Sequence, residues 1–303
     1  MYSGDYAKET DAEIDSLFNW FTPILRRNFP QGFAPYYTNP TDRSLNDEYT
    51  SIIQQPQIRL KQPMINFDIN QNINDINTMI NTPATSYTSK FLGVIIKGHG
   101  GGKTRALEEI KMTLNAENNG CLAVAITYDF NWYAKDDECM SILSTLYPTK
   151  TDKSMYIRKV GIIYSIITRM TSMLYGYPLH IVQDIYNKEV INMPKISIIS
   201  FRLVLIAFIK ATIVDMRTRG GGPVTNLMKS SKNQQFETRF SGRPVTSLVV
   251  LIDETKLINN IFEKYTNDLF KGVIETILGE QMEEHIGIKA ALVLSSSEAL
   301  HLG

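Results

Sequence analysis

The sequence predicts an α/β fold built around a parallel sheet. Four short apolar runs lack the polar alternation of a half-buried strand, and they lie at residues 91–96, 121–128, 248–252 and 290–294. Such runs are typical of strands that are buried on both faces. Long stretches between them carry apolar residues at helical spacing, which predicts helices that cover the sheet.

A glycine-rich stretch at residues 97–104 follows the first apolar run directly, and a helical pattern follows from residue 104. Consecutive glycines allow several backbone N–H groups to converge on one phosphate. The N-terminus of the next helix adds unpaired N–H groups and the positive end of its dipole. A strand, a glycine turn ending in Gly-Lys-Thr and a helix therefore predict a P-loop, which binds a nucleoside triphosphate with Mg²⁺.

Two side chains of this loop have predicted roles. Lys103 would reach the β- and γ-phosphates, and the hydroxyl of Thr104 would bind Mg²⁺. Lys97 stands where the usual pattern has its first glycine, so the loop is shifted or tolerates another residue at its start. The alternative is a glycine turn that binds nothing. The predicted nucleotide-binding residues are Gly98, His99, Gly100, Gly101, Gly102, Lys103, Thr104 and Arg105.

Two carboxylates, Asp253 and Glu254, end the third apolar run. This is the form of a Walker B strand, and the pair would lie beside the P-loop if the two strands are neighbours. Asp253 would hold Mg²⁺, largely through water, and Glu254 would act as general base on the attacking water. Glu254 and Lys103 are therefore the predicted catalytic residues. The alternative is an ordinary strand followed by acidic residues at the start of a helix.

Bulk composition excludes several classes of protein. The 303 residues include 31 basic and 31 acidic side chains, so no global field attracts nucleic acid or membrane. Two cysteines are too few for a disulfide scaffold, and the four histidines show no metal-binding spacing. The N-terminus does not read as a signal peptide, and Arg202 and Lys210 interrupt the most apolar segment, residues 196–214. We therefore expect an intracellular protein, cytoplasmic or nuclear, without a membrane helix.

The chain divides into two predicted regions. Residues 1–90 form a mixed N-terminal accessory region, with a helix at 13–29 and an asparagine-rich connector at 65–82 that is flexible or weakly helical. Residues 91–303 form the nucleotide-binding domain, which begins with a βαβ unit at 91–128. A helical insert covers about 136–216, with candidate helices at 137–147, 154–176, 179–192 and 198–217. A basic loop at 217–247, a helical stretch at 256–285 and the last strand complete this domain.

The basic loop carries six cations and one acidic residue, Glu237. A solvated surface loop is the interpretation that we favour. The alternative is a contact with phosphate or nucleic acid, for which residues 217–243 would supply the charge. Arg239 and Arg243 could also supply charge to a γ-phosphate. The cations are Arg217, Arg219, Lys229, Lys232, Arg239 and Arg243.

The segments KGHGGGKTR, CLAVAITYD and LVVLIDE, with a helical insert before the last, resemble P-loop NTPases of the AAA+/STAND group. The long insert is similar to that of the NTPase domain of Crinkler effectors and retrotransposon hot spot proteins. This resemblance implies a parallel-sheet P-loop NTPase core with a large helical insertion. It also implies ATPase activity, often in the nucleus and sometimes beside a nuclease or kinase domain. Ser295 or Ser296, after the last strand, would sense the γ-phosphate, unless they only form a turn.

The expected function is Mg²⁺-dependent binding and hydrolysis of a nucleoside triphosphate, coupled to a conformational change in the insert. The guanine-reading pattern Asn-Lys-x-Asp is absent, which favours ATP. One alternative is a nucleotide-dependent switch or interaction module with little turnover. Another is a nucleic-acid-acting ATPase or effector that uses the basic loop. The sequence leaves open self-association and a protein partner.

Overall fold

A computed structural model describes ten segments of the chain, at residues 3–30, 68–81, 93–96, 102–116, 120–128, 136–146, 152–194, 201–219, 245–254 and 280–296. The helices are α1 (Ser3–Asn28), α2 (Ile69–Asn81), α3 (Lys103–Ala116), α4 (Asp136–Leu146), α5 (Asp152–Tyr175), α6 (Leu179–Glu189), α7 (Phe201–Arg219) and α8 (Glu280–Ile286). The strands are β1 (Gly93–Ile96), β2 (Cys121–Thr127), β3 (Ser247–Asp253) and β4 (Lys289–Ser296). The fold is therefore α/β, with more helix than strand.

The four strands form one parallel sheet in the order β1-β4-β3-β2. The sequence left open whether the Walker B strand neighbours the P-loop strand, and it does not, because β4 lies between β1 and β3. The expected βαβ unit at 91–128 corresponds to β1, α3 and β2, whose two strands are parallel but are separated in the sheet by β4 and β3. All four strands nevertheless run in the same direction, so their carboxyl ends meet at one edge of the sheet.

Burial explains why the strand sequences are continuously apolar. Every residue of β2 and β3 is buried, so both faces of the sheet need apolar side chains. Helix α3 packs against β2, β3 and β4. At the outer strand β2, the side chain of Asn115 bonds both the N–H and the C=O of Ala123, each at 2.9 Å. These two hydrogen bonds join α3 to the backbone of β2.

The N-terminal helix α1 is confirmed, and its apolar stripe lies against α7. Leu17, Phe21 and Leu25 are fully buried on this stripe. The ring of Phe21 contacts that of Phe208 edge-on, with the ring centres 5.5 Å apart. Burial of each such side chain contributes about 1.5–3 kcal/mol to folding.

Residues 69–81 are a regular helix, so the flexible alternative for this part of the connector is wrong. Ile73, Ile76 and Ile80 recur at helical spacing and are buried, and the helix packs against α3 and β4. Asn72 and Asn81 bond backbone carbonyls one turn earlier. Helices α1 and α2 thus share one hydrophobic core with the sheet, while the boundary at residue 90 stays a prediction.

Helices α4 to α7 lie between β2 and β3 in the chain, with a 3₁₀ turn at Val190–Asn192 after α6. Their bounds agree with the candidate helices to within about three residues. Within the described segments, no helix is both long enough and apolar enough to cross a membrane. Most of the basic loop and most of the helical stretch at 256–285 lie outside the described residues.

Candidate functional site

Helix α3 begins where the sequence requires a glycine. Gly102 has φ of 77°, in the left-handed region that glycine adopts without a steric penalty. Its carbonyl accepts the first helical bond, from the N–H of Ala106 at 2.9 Å. The first-turn N–H groups of a helix have no acceptors within it, so those of Lys103, Thr104 and Arg105 point out of its N-terminal end. Gly98, His99, Gly100 and Gly101 lie outside the described residues.

The Asp253 carboxylate is the centre of the site, at the carboxyl end of β3. The Thr104 hydroxyl donates to Asp253 Oδ2 at 2.6 Å. The Ser295 hydroxyl donates to Asp253 Oδ1 from the neighbouring strand β4. Asp253 is only 2% exposed. Thr104 and Asp253, the two predicted Mg²⁺ ligands, are therefore in direct contact, and Ser295 bonds the same carboxylate.

Burial sets the protonation behaviour of Asp253. Desolvation raises the pKa of its carboxyl above the ordinary value, and this effect outweighs the opposing hydrogen bonds from Ser295 and Thr104. The backbone N–H of Glu254 and the charge of Lys103 also oppose the rise in this pKa. A buried carboxylate bonded mainly by neutral donors is one that a bound cation would stabilise.

The predicted catalytic residues face each other. Lys103 Nζ lies 3.6 Å from Glu254 Oε1, with the lysine side chain 5% and the glutamate side chain 20% exposed. Glu254 has φ of 51°, a left-handed conformation that costs a non-glycine residue about 1 kcal/mol. Such strain persists where the surrounding structure enforces it.

The peptide that precedes Glu254 is held on both sides. The carbonyl of Asp253 accepts from the N–H of Tyr128 at 3.2 Å. The N–H of Glu254, on the opposite side of the same peptide, bonds the Asp253 carboxylate. The orientation of the Asp253–Glu254 peptide is thereby fixed, and with it the direction in which Glu254 leaves the sheet edge.

The side chain of Arg105 lies along its own helix. Its Nε donates to Glu109 Oε1 at 2.8 Å, one turn later. Its backbone N–H is the group that remains a predicted phosphate ligand. Arg239 and Arg243, the candidates for additional charge, lie outside the described residues.

Arg169 on α5 is a residue that the sequence reasoning missed. It is fully buried, and its Nε donates to the carbonyl of Thr127 at 3.0 Å. Thr127 is the last residue of β2 and lies opposite Asp253 in the sheet register. One sequence signal could have identified it, because Arg169 is the only charged residue between Val160 and Tyr175.

The donor set suits magnesium. Mg²⁺ is held by oxygen ligands, usually one or two carboxylates together with substrate phosphates and water. Asp253 and Thr104 supply a carboxylate and a hydroxyl at the helix end that would face those phosphates. No group of three or more His, Cys, Asp or Glu side chains suited to a metal occurs in the described segments.

Comparison with protein-family models, with curated proteins and with solved structures gave no match for this chain. The case for a function therefore rests on the side chains at the carboxyl edge of the sheet.

Proposed function

We propose that this protein binds and hydrolyses a nucleoside triphosphate, preferably ATP, with Mg²⁺. One observation carries the proposal: Thr104 contacts Asp253 at 2.6 Å although the two residues are 149 positions apart. Lys103 and Glu254, their sequence neighbours, contact each other as well. Four side chains with the chemistry of phosphate binding, magnesium binding and water activation thus meet at the N-terminus of α3.

Each residue has one role in the proposed reaction. Lys103 and the N–H groups of the first turn of α3 bind the phosphates. Thr104 and Asp253 hold Mg²⁺, which when bound neutralises charge on the phosphate oxygens. Glu254 orients the attacking water and accepts its proton. Ser295 holds one Asp253 oxygen in place.

The ion pair between Lys103 and Glu254 gives the site two states. A bound phosphate would compete with the Glu254 carboxylate for the Lys103 ammonium, because one ammonium cannot pair closely with both anions. Binding would therefore release Glu254 toward the water. The same pair also favours the alternative of a switch with little turnover, because a base held by a lysine is withheld from catalysis.

The broader expectations from sequence remain proposals. The resemblance to the AAA+/STAND group and to Crinkler-type NTPase domains is consistent with these contacts. A nuclear site of action, and a nucleic-acid contact through residues 217–243, depend on that resemblance and on the basic loop alone.

Nucleotide binding and phosphate release in wild type, Lys103→Ala and Glu254→Gln test the proposal. We expect Lys103→Ala to weaken ATP binding by about 30- to 100-fold, the loss of a charge-assisted bond. Glu254→Gln should keep binding and lose turnover. Lys210→Ala and Glu189→Gln, at ion pairs on the helical layer, are matched controls that should behave as wild type. Wild-type binding without phosphate release would favour the switch, and no binding would reject the proposal.

A further inference from the structure

Helix α5 of the insert reaches the candidate site through one side chain. The Arg169 guanidinium is fully buried and bonds carbonyls on two different elements. Nε donates to the carbonyl of Thr127 at 3.0 Å, at the end of β2. Nη1 donates to the carbonyl of Ser165 at 3.2 Å, one turn earlier on α5. The arginine therefore joins the insert to the sheet edge.

The next residue, Tyr128, is held at three points. The carbon of the Arg169 guanidinium lies 4.2 Å from the centre of the Tyr128 ring, a distance typical of a cation–π contact. The Tyr128 hydroxyl shares a hydrogen bond of 2.6 Å with the Ser165 hydroxyl. Its backbone N–H donates to the carbonyl of Asp253 at 3.2 Å.

A continuous set of contacts thus runs from the insert to Glu254. Arg169 fixes Thr127 and Tyr128, and Tyr128 fixes the carbonyl of Asp253. That carbonyl belongs to the peptide that precedes Glu254, so the contact fixes the point from which Glu254 extends, with its φ of 51°. Lys103 and Thr104, which would bind the phosphates and Mg²⁺, stand on α3 and reach this set from its other side, at Glu254 and Asp253.

We propose that Arg169 is a positioning residue: it couples the helical insert to the orientation of Glu254, and so controls turnover more strongly than it controls nucleotide affinity. This inference rests on the proposed function. A displacement of a catalytic group by about 1 Å is enough to lower a rate roughly 100-fold. A movement of α5 would therefore regulate hydrolysis through Arg169.

Arg219 provides a matched control at the other end of the insert. Its side chain is partly buried. Like Arg169, it bonds backbone carbonyls, those of Phe29 at 2.8 Å and Leu25 at 3.3 Å. These carbonyls belong to α1 and to the turn that follows it, and its carboxylate partner Asp215 lies on its own helix α7, so none of these partners lies at the sheet edge. Loss of Arg219 should lower stability in the same way as loss of Arg169 and leave the site intact.

The test measures kcat, KM for ATP and urea stability of the full chain for wild type, Arg169→Met and Arg219→Met. We expect Arg169→Met to lower kcat about 10- to 100-fold, with KM changed less than about threefold. Arg219→Met should keep kcat within about twofold of wild type at the same folded fraction. Arg169→Lys, which keeps the charge and one donor nitrogen but not the planar fork, should lose less kcat than the methionine variant.

A double-mutant cycle separates positioning from general loosening of the fold. If Arg169 acts through Glu254, Arg169→Met should not lower the residual rate of Glu254→Gln any further. Equal kcat in wild type and Arg169→Met, or equal losses in Arg169→Met and Arg219→Met, would overturn the inference alone. If Arg169→Met does not fold, equal kcat in wild type and Arg169→Lys would overturn it. Wild type without phosphate release would overturn the proposed hydrolysis and this inference together.

Discussion

Two buried aspartates, Asp253 and Asp215, have opposite surroundings. Each is 2% exposed. Asp215, on α7, accepts from Arg219 Nε at 2.6 Å and from the Tyr175 hydroxyl at 2.8 Å. An arginine thus neutralises it within the fold.

Asp253 accepts mainly from neutral groups, the hydroxyls of Thr104 and Ser295, while the nearby Lys103 pairs with Glu254. A buried charge needs compensation. Asp215 obtains this compensation from the Arg219 guanidinium within the fold, so its role is structural. Asp253 would obtain the rest of its charge compensation from a bound cation, as a metal-binding residue does.

The largest difference between the two regions should appear in turnover. Glu254→Gln keeps the shape of the side chain and removes its basicity, so we expect phosphate release to fall about 10²- to 10⁴-fold. Tyr175→Phe, beside Asp215, should leave the rate within about twofold. Steady-state phosphate release at saturating Mg·ATP measures both variants. Equal rates of phosphate release in Glu254→Gln and wild type would mean that Glu254 is not the general base.

The next difference should appear in stability. Asp215→Ala leaves the Arg219 guanidinium without its carboxylate, and we expect it to cost about 3 kcal/mol. Asp253→Asn keeps an acceptor and removes a charge that burial disfavours, so its cost should be below about 1 kcal/mol. Because burial raises the pKa of Asp253 in the folded protein, ionisation of this group lowers folded stability as pH rises above its ordinary pKa.

Urea unfolding of both variants at neutral pH measures these costs. Asp75→Asn, at an exposed position on α2, is a control for the amide substitution and should change stability little. A cost of Asp253→Asn equal to that of Asp215→Ala would mean that Asp253 is as structural as Asp215.

The smallest difference concerns single hydroxyl groups. Ser295→Ala and Tyr175→Phe each remove one donor to a buried aspartate, and each should cost about 1 kcal/mol of stability. Only Ser295→Ala should also raise the Mg²⁺ concentration for half-maximal turnover, by about tenfold, because Ser295 orients the metal-binding carboxylate. A Mg²⁺ titration of turnover in both variants measures this effect. An unchanged midpoint in Ser295→Ala would limit that serine to a structural role.

Local sequence patterns predicted most of the elements and the meeting of the four motif residues. Continuous apolar runs identified the strands, and polar residues at their carboxyl ends identified the edge where Thr104 and Asp253 touch. This prediction succeeded although β1, the strand before the glycine-rich loop, and β3, the strand of Asp253, are not neighbours. In a parallel sheet, ends separated by one strand still share an edge.

Three features depend on contacts that no local pattern records. The place of β4 between β1 and β3 is a choice among long-range pairings of similar apolar strands. Helix α2 was obscured by its asparagines, which bond their own helix while the isoleucines are buried. Arg169 stands out in the sequence as a lone charge, but the carbonyl that it bonds lies 42 residues earlier in the chain, so this contact follows from packing alone.

Thermal unfolding of wild type and Asp253→Asn, with ATP alone and with ATP plus Mg²⁺, tests most directly whether Asp253 is a cation site. A ligand at about 100 times its Kd adds about 2.7 kcal/mol to stability, which corresponds to a rise in Tm of roughly 5 °C for a chain of this size. We expect Mg²⁺ to add to the ATP-dependent rise in wild type and to add nothing in Asp253→Asn. An identical Mg²⁺-dependent rise in both proteins would contradict the assignment of Asp253 as the magnesium ligand.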